Sequence, residues 1–188
     1  MKVTRFKKTM IALSVTCLIA IASATEVSAQ TNGVDIPAGS DGVVINNIQG
    51  GNIIAPNDAI VTRADTTVIN AGNIAGGNNG INFVNGAGSG SVTNTTTGVI
   101  SSDSRAINIG GEVAVSNAGQ IVGTGDQRNG TIYSDSVASD FSIENTGTID
   151  AGAGNQGSGV ALEIGSRTTA DIVNSGTCLL YTSDAADE

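Results

Sequence analysis

The side chains capable of chemistry are few and one-sided. Histidine is absent, lysine does not occur beyond residue 8, and the later cations are Arg63, Arg105, Arg128 and Arg167, set against 17 acidic residues and a net charge of −9. A polysaccharide lyase needs a base beside a uronate and positive charge to hold its acid group, commonly with calcium on several carboxylates. Arg63, Arg105 and Arg167 fall shortly before or within apolar runs, so in a repeating chain they would stack along one face. Beside Asp65, Asp103 and Asp171 the same row reads as an ordinary solvated one. A hydrolase needs two carboxylates converging on one bond. Asp135 with Asp140, or Asp58 with Asp65, are the pairs at hand, in a chain that carries acids in every loop. Gly123-Thr124-Gly125-Asp126 begins like a calcium-solenoid nonapeptide but neither repeats nor ends on the apolar residue. Asn94-Thr95-Thr96 spells a glycosylation acceptor, a short match that chance supplies. No catalytic, cofactor-binding or metal-ligating set emerges. The acidity also argues against nucleic acid or an anionic membrane as partner, since both require clustered Lys and Arg.

The chain's regularity lies elsewhere. Val115-Ser116-Asn117-Ala118-Gly119-Gln120-Ile121 recurs as Ile143-Glu144-Asn145-Thr146-Gly147-Thr148-Ile149 and as Val68-Ile69-Asn70-Ala71-Gly72-Asn73-Ile74. A further copy, Val92-Thr93-Asn94, reaches its glycine late at Gly98, and Ile172-Val173-Asn174-Ser175-Gly176-Thr177 stops before the closing Ile. The asparagines at 70, 94, 117, 145 and 174 are 24, 23, 28 and 29 residues apart, a period that signals stacked coils. In each copy the branched residue two before Asn and the Ile two after Gly face inward on two strands. Asn and Gly form the corner, Gly through its backbone freedom and Asn through bonds to its own backbone. Alternating runs at residues 80–83, 105–109, 130–133 and 160–164 supply another strand per coil. No gap holds a run with helical spacing.

These features predict an all-β fold: a parallel β-helix, right-handed, of about five coils, or a rod of about 25 Å at ~4.8 Å per coil. Its Asn side chains would lie over one another as a structural amide ladder rather than as ligands. The repeat glycines are Gly72, Gly98, Gly119, Gly147 and Gly176. Between strands, Asn78-Asn79-Gly80 and the glycine-rich stretches 86–90, 123–127 and 152–156 are expected to protrude and to be where anything binds. With 26 Gly, three Phe, two Tyr and no Trp, stability must come from repeated layers of Ile and Val rather than a bulky core.

The ends differ from the repeats. Residues 1–29 have the form of a signal-peptide helix, with a basic start (Lys2, Arg5, Lys7, Lys8), an apolar stretch from Met10 to Ala22, and Val27-Ser28-Ala29 before Gln30. Cleavage is expected between Ala29 and Gln30, with Ala22-Ser23-Ala24 the lesser option. Residues 30–57 read as a cap and irregular first coil holding both prolines, Pro37 and Pro56; residues 58–177 hold the regular coils. Cys17 falls in the leader and Cys178 in the tail, so the body is held by stacking without disulfides. Residues 178–188 break the motif where Ile is due after Thr177, and they resemble the in-frame translation of the transposase adapter used in sequencing libraries. The natural product would then be longer.

A leader followed by imperfect Asn-x-Gly-x-Ile coils, acidic and without cysteine, resembles the N-terminal part of an autotransporter passenger domain of a Gram-negative bacterium. The resemblance covers residues 30–177 and rests on motifs such as Asn117-Ala118-Gly119-Gln120-Ile121. It implies a β-helix displayed on or released from the cell surface, a C-terminal outer-membrane β-barrel that this sequence does not contain, and a cysteine-free passenger because that chain crosses the outer membrane unfolded. The expected role is a structural or adhesive rod, with a host surface, matrix or neighbouring cell as partner and no cofactor. The alternative is a polysaccharide-active β-helix enzyme whose catalytic part is missing or unrecognised.

Overall fold

The computed structural model describes residues 18–21, 32–40, 42–86, 88–124, 130–134, 140–152, 158–159, 161–165, 169–179 and 181–182. Two strands, β1 (Leu18–Ile21) and β2 (Val34–Ile36), come before the first full coil, which comprises β3 (Val43–Asn47), β4 (Asn52–Ala55) and β5 (Ile60–Thr62). The next coils are β6 (Thr66–Asn70), β7 (Asn73–Gly76), β8 (Asn79–Phe83), then β9 (Gly90–Asn94), β10 (Val99–Ser102), β11 (Arg105–Ile109). A fourth follows as β12 (Val113–Asn117), β13 (Gln120–Gly123) and β14 (Ile132–Ser134). The fifth holds β15 (Asp140–Asn145), β16 (Thr148–Asp150), the short β17 (Ser158–Gly159) and β18 (Leu162–Ile164). The described chain ends with β19 (Thr169–Asn174), β20 (Thr177–Leu179) and β21 (Tyr181–Thr182).

Equivalent strands pair in parallel and build three sheets: β1-β3-β6-β9-β12-β15-β19, β4-β7-β10-β13-β16-β20 and β2-β5-β8-β11-β14-β18. The expected parallel β-solenoid of about five coils is therefore the fold, and no described residue is helical. The helix foreseen for the leader falls mostly outside the described residues. Its described part, Leu18–Ile21, is instead a strand parallel to β3. A Leu-Ile-Ala-Ile run suits a strand as well as a leader, and the unpaired backbone of β3 is a template for it.

Register explains the core. One column runs Ile45, Val68, Val92, Val115, Ile143 and Ile172 along the first sheet. A second runs Ile53, Ile74, Ile100, Ile121, Ile149 and Cys178. The third runs Ile60, Ile81, Ile107, Ile132 and Leu162. Every coil thus sends three apolar side chains to the axis, most of them β-branched and suited to strands. The interior members of these columns are buried, whereas Ile172, on the last coil, is 42% exposed because no described strand stacks above it. Phe83, fully buried, fits because Gly90 offers no side chain where its ring lies. Such large-to-small pairing keeps the layer filled without strain.

The repeat glycines are required for a reason other than backbone freedom. Positive φ occurs at Gly39, Gly42, Gly50, Gly86 and Gly152, none of them a repeat glycine. At Gly119 a Cβ would run into the carbonyl oxygens of Gly98 and Thr95 in the coil below; Gly72, Gly147 and Gly176 meet the equivalent obstacle at Gly51, Gly119 and Gly147. Close stacking of backbones at the corner, not the angle of the turn, excludes a side chain. Asn79 differs from expectation, since it begins β8 rather than protruding as a loop, and Gly80 belongs to that strand, as the alternating run 80–83 indicated. The stretches 125–127 and 153–156 lie outside the described residues.

These two kinds of glycine should separate on mutation. Gly119→Ala is expected to cost about 2–3 kcal/mol by overpacking a rigid backbone. Gly50→Ala, with φ +79° and open space around it, should cost only about 1 kcal/mol of left-handed strain. Urea unfolding of both variants checks this, and equal losses would show that turn conformation sets the requirement.

Candidate functional site

The five asparagines predicted to stack do so, and a sixth precedes them. Each Nδ2 donates to the Oδ1 of the next coil: Asn47 to Asn70 at 2.7 Å, Asn70 to Asn94 at 2.9 Å, Asn94 to Asn117 at 2.8 Å, Asn117 to Asn145 at 2.7 Å and Asn145 to Asn174 at 2.7 Å. The same amides also donate to main-chain carbonyls of the following coil, as from Asn94 to Gln120 at 3.1 Å, and to the glycine carbonyl of their own corner, as from Asn94 to Gly98 at 3.2 Å. Asn47 through Asn145 are at most 1% exposed. Amides so enclosed have no face for a ligand; they satisfy the backbone at a corner where two strands part. Asn47 escaped the sequence reading because its glycine comes four residues later, at Gly51. Asn94 and Gly98 have the same spacing, so the signal was present.

A second polar chain lies on the third sheet and runs the other way. Asn108 donates to Asn82 Oδ1 at 2.9 Å, and Asn82 donates to Asp58 Oδ2 at 2.8 Å. The buried Asp58 carboxylate also accepts from Asn78 Nδ2, the Asn79 main-chain N–H and Asn79 Nδ2 at 3.0, 3.1 and 2.8 Å. A carboxylate only accepts, so Asp58 sets the direction of this chain. Its oxygens are committed to coil stacking, and Asp65 accepts instead from Ser89 at 3.5 Å; the two acids do not converge on a shared site. Asp135 lies outside the described residues, which leaves its pairing with Asp140 undescribed.

The arginines do not form the row that their positions in sequence suggested. Arg63 follows β5 and pairs with Asp35, not Asp65, whereas Arg105 opens β11 and lies over the Tyr133 ring at 4.1 Å. They occupy opposite ends of their strands, because Arg105 is level with Asn79 while Arg63 comes just after Thr62, which is level with Phe83. Arg167 and Arg128 lie outside the described residues. Cys178 is exposed on the last coil, and partial burial pushes its thiol above the ordinary value, which disfavours the nucleophilic thiolate.

The outward face of the first sheet carries two adjoining concavities. A shallow groove of about 470 Å³ crosses β9, β12, β15 and β19, and a neighbouring one of about 440 Å³ shares Ala114 and Ser142 with it. Its floor is small and hydroxylated, with Ser91, Thr93, Ser116 and Ser142. Its acids are Glu112, Asp140, Glu144 and Asp171, all exposed. The parallel register sets Asp171 one rung from Ser142, and Glu112, just before β12, lines the neighbouring groove together with Asp140. This is a sheet face, not the loops, and only alignment of separate coils assembles it.

No protein-family model, characterised protein or solved structure matches this chain. The Asn row holds the coils; the acidic face is available.

The ladder's energetic role can be measured by position. Asn117→Ala would take away the donor to Asn145 Oδ1 and the acceptor of the Gly119 N–H in a buried corner, and is expected to cost about 3 kcal/mol. Asn174→Ala, at the exposed end with one neighbour, should cost about 1 kcal/mol or less. Thermal unfolding of both variants tests the difference; equal shifts would mean that the ladder is incidental to stability.

Proposed function

We propose that the chain is a stretch of an exported, surface-displayed passenger of autotransporter type, a rod that holds side chains at fixed intervals for contact with another surface. The observation that carries this reading is the parallel three-sheet stack, in which each coil depends mainly on its neighbours. Such a rod can fold progressively as it emerges from a pore and needs no disulfide to hold it. The basic, apolar and small-residue order of residues 1–29 supports export, with removal between Ala29 and Gln30. The acidic groove supports a contact role over a purely mechanical one, because a scaffold has no need of a charged face that lacks a counter-charge among the described residues.

Residues 178–188 are proposed to be foreign to the natural protein. In support, Cys178 occupies a column that is Ile at all five preceding coils: Ile53, Ile74, Ile100, Ile121 and Ile149. The uninterrupted gene should place Ile after Thr177 and run on through further coils into alternating, aromatic-flanked barrel strands.

Expression of the whole chain in a Gram-negative host should yield a periplasmic product whose mass begins at Gln30. An uncleaved cytoplasmic product would overturn the export reading. Long native DNA reads through codon 177 test the continuation, and a gene that encodes residues 178–188 and then stops would overturn it.

A further inference from the structure

We infer that Asn85-Gly86, in the turn between β8 and β9, is a site of spontaneous covalent modification, at which the asparagine converts through a succinimide to aspartate and isoaspartate. The inference stands on the chemistry of the turn and does not depend on where the chain is displayed.

Asparagine before glycine is the pair most open to this reaction, because the glycine nitrogen approaches the side chain with no Cβ in the way. The sequence holds four such pairs: Asn32-Gly33, Asn79-Gly80, Asn85-Gly86 and Asn129-Gly130. Asn129 lies outside the described residues, and the fold sets the other three apart. Asn79 and Gly80 are buried in β8. The Asn79 amide, which would be the leaving group, donates to Asp58 at 2.8 Å, and a Cβ at Gly80 would run into the Ala106 carbonyl of the next coil. Asn32 is half-buried, its Oδ1 accepts from Asn57 at 3.2 Å, and the Gly33 N–H donates to the Asp58 carbonyl at 3.0 Å. Of the three pairs, only Asn85-Gly86 is exposed at both residues, in a turn where Gly86 has φ +77°.

The reacting groups lie on one side of this turn. The Gly86 N–H donates to the Gly110 carbonyl at 3.0 Å, and a Cβ on Gly110 would strike Asn85 Oδ1, so the nitrogen and the side-chain carbonyl both face the same residue of the next coil. Release of that inter-coil bond frees the nitrogen, whereas reaction at Asn79 requires β8 to leave its sheet. Opening one exposed turn costs far less than opening a packed strand. The Gly86 nitrogen then loses its proton to base and attacks Asn85 Cγ; the N–Cγ bond forms, the Cγ–Nδ2 bond breaks and ammonia leaves. Water opens the resulting imide at either carbonyl. One opening yields aspartate, and the other yields isoaspartate, with an added methylene in the main chain. Each product places a new negative charge beside Gly110 at a turn outside the apolar columns, so β8 and β9 need not leave their partners β11 and β12.

The test is peptide mapping of the full chain by mass spectrometry during incubation at about pH 8.5, where base assists loss of the attacking nitrogen's proton. Asn85 should convert at least about tenfold faster than Asn79, and ahead of Asn32, in the folded chain; in strong urea Asn85 and Asn79 should convert within about threefold of each other, since nothing then protects either. Isoaspartate should accompany aspartate at Asn85, a product that direct hydrolysis of the side chain does not give. Gly86→Ala should slow conversion at Asn85 at least about fivefold and leave Asn32 unchanged. Asn79 or Asn32 keeping pace with Asn85 in the folded chain would overturn the assignment. So would an intact Asn85 over the time in which the urea-unfolded chain converts, or a rate at Asn85 that Gly86→Ala does not alter. If that variant fails to fold, as judged by circular dichroism, the products of the unaltered chain decide: aspartate without isoaspartate overturns the succinimide route.

Discussion

Everything in this molecule depends on adjacent coils meeting at the spacing of a parallel β-sheet. The Asn corner enforces it from both sides. An amide in one coil reaches the next coil's amide and main-chain carbonyl together, as Asn94 does with Asn117 and Gln120. Gly119, one corner residue away, lets the chain come close enough for that reach by presenting no side chain to Gly98 and Thr95. Attraction and clearance are thus supplied by residues two positions apart, and neither works without the other. The apolar columns then close behind them, each isoleucine meeting its counterpart at the same height.

The ladder has a direction. Nδ2 donates toward the C-terminal end throughout, so the described stack finishes with an unmet acceptor at Asn47 and a donor at Asn174 that has one neighbour below it. The shorter chain through Asn108, Asn82 and Asp58 runs oppositely, because the carboxylate at its end can only accept. Two antiparallel polar rows on different sheets are both compatible with one stacking rule, since an amide can be turned either way and its neighbours follow. Asp58 also shows how a charge is tolerated inside such a fold. It is surrounded by donors rather than by a cation, and those donors come from the next coil.

A solenoid converts sequence period into surface pattern. Residues some 23 to 29 positions apart become neighbours, as the hydrogen-bonded asparagines demonstrate. Acids that look scattered along the chain are therefore gathered by register, and on the first sheet they gather without a described counter-charge. The extra length of the last coils is taken up between strands, which leaves the register of all three sheets intact. Variation and regularity are kept in separate places, so outward residues can change without disturbing the stack.

The repeat made much of this legible beforehand. The parallel coils, the inward residues flanking each Asn-Gly corner and the stacking of Asn70, Asn94, Asn117, Asn145 and Asn174 all follow from a recurrent pattern of polarity, because period and side-chain alternation are local properties of the chain. Asn47 carried the same signal in its late-glycine form. Other features were decided only by the tertiary arrangement. That Asp58 is buried among amides, that Arg63 and Arg105 part company, and that the repeat glycines answer to clearance rather than to φ all depend on contacts between coils. So does the acidic face. Sequence order specifies which residues share a strand, but loop lengths and register specify which strands share a height, and only at a common height do separate side chains become one surface.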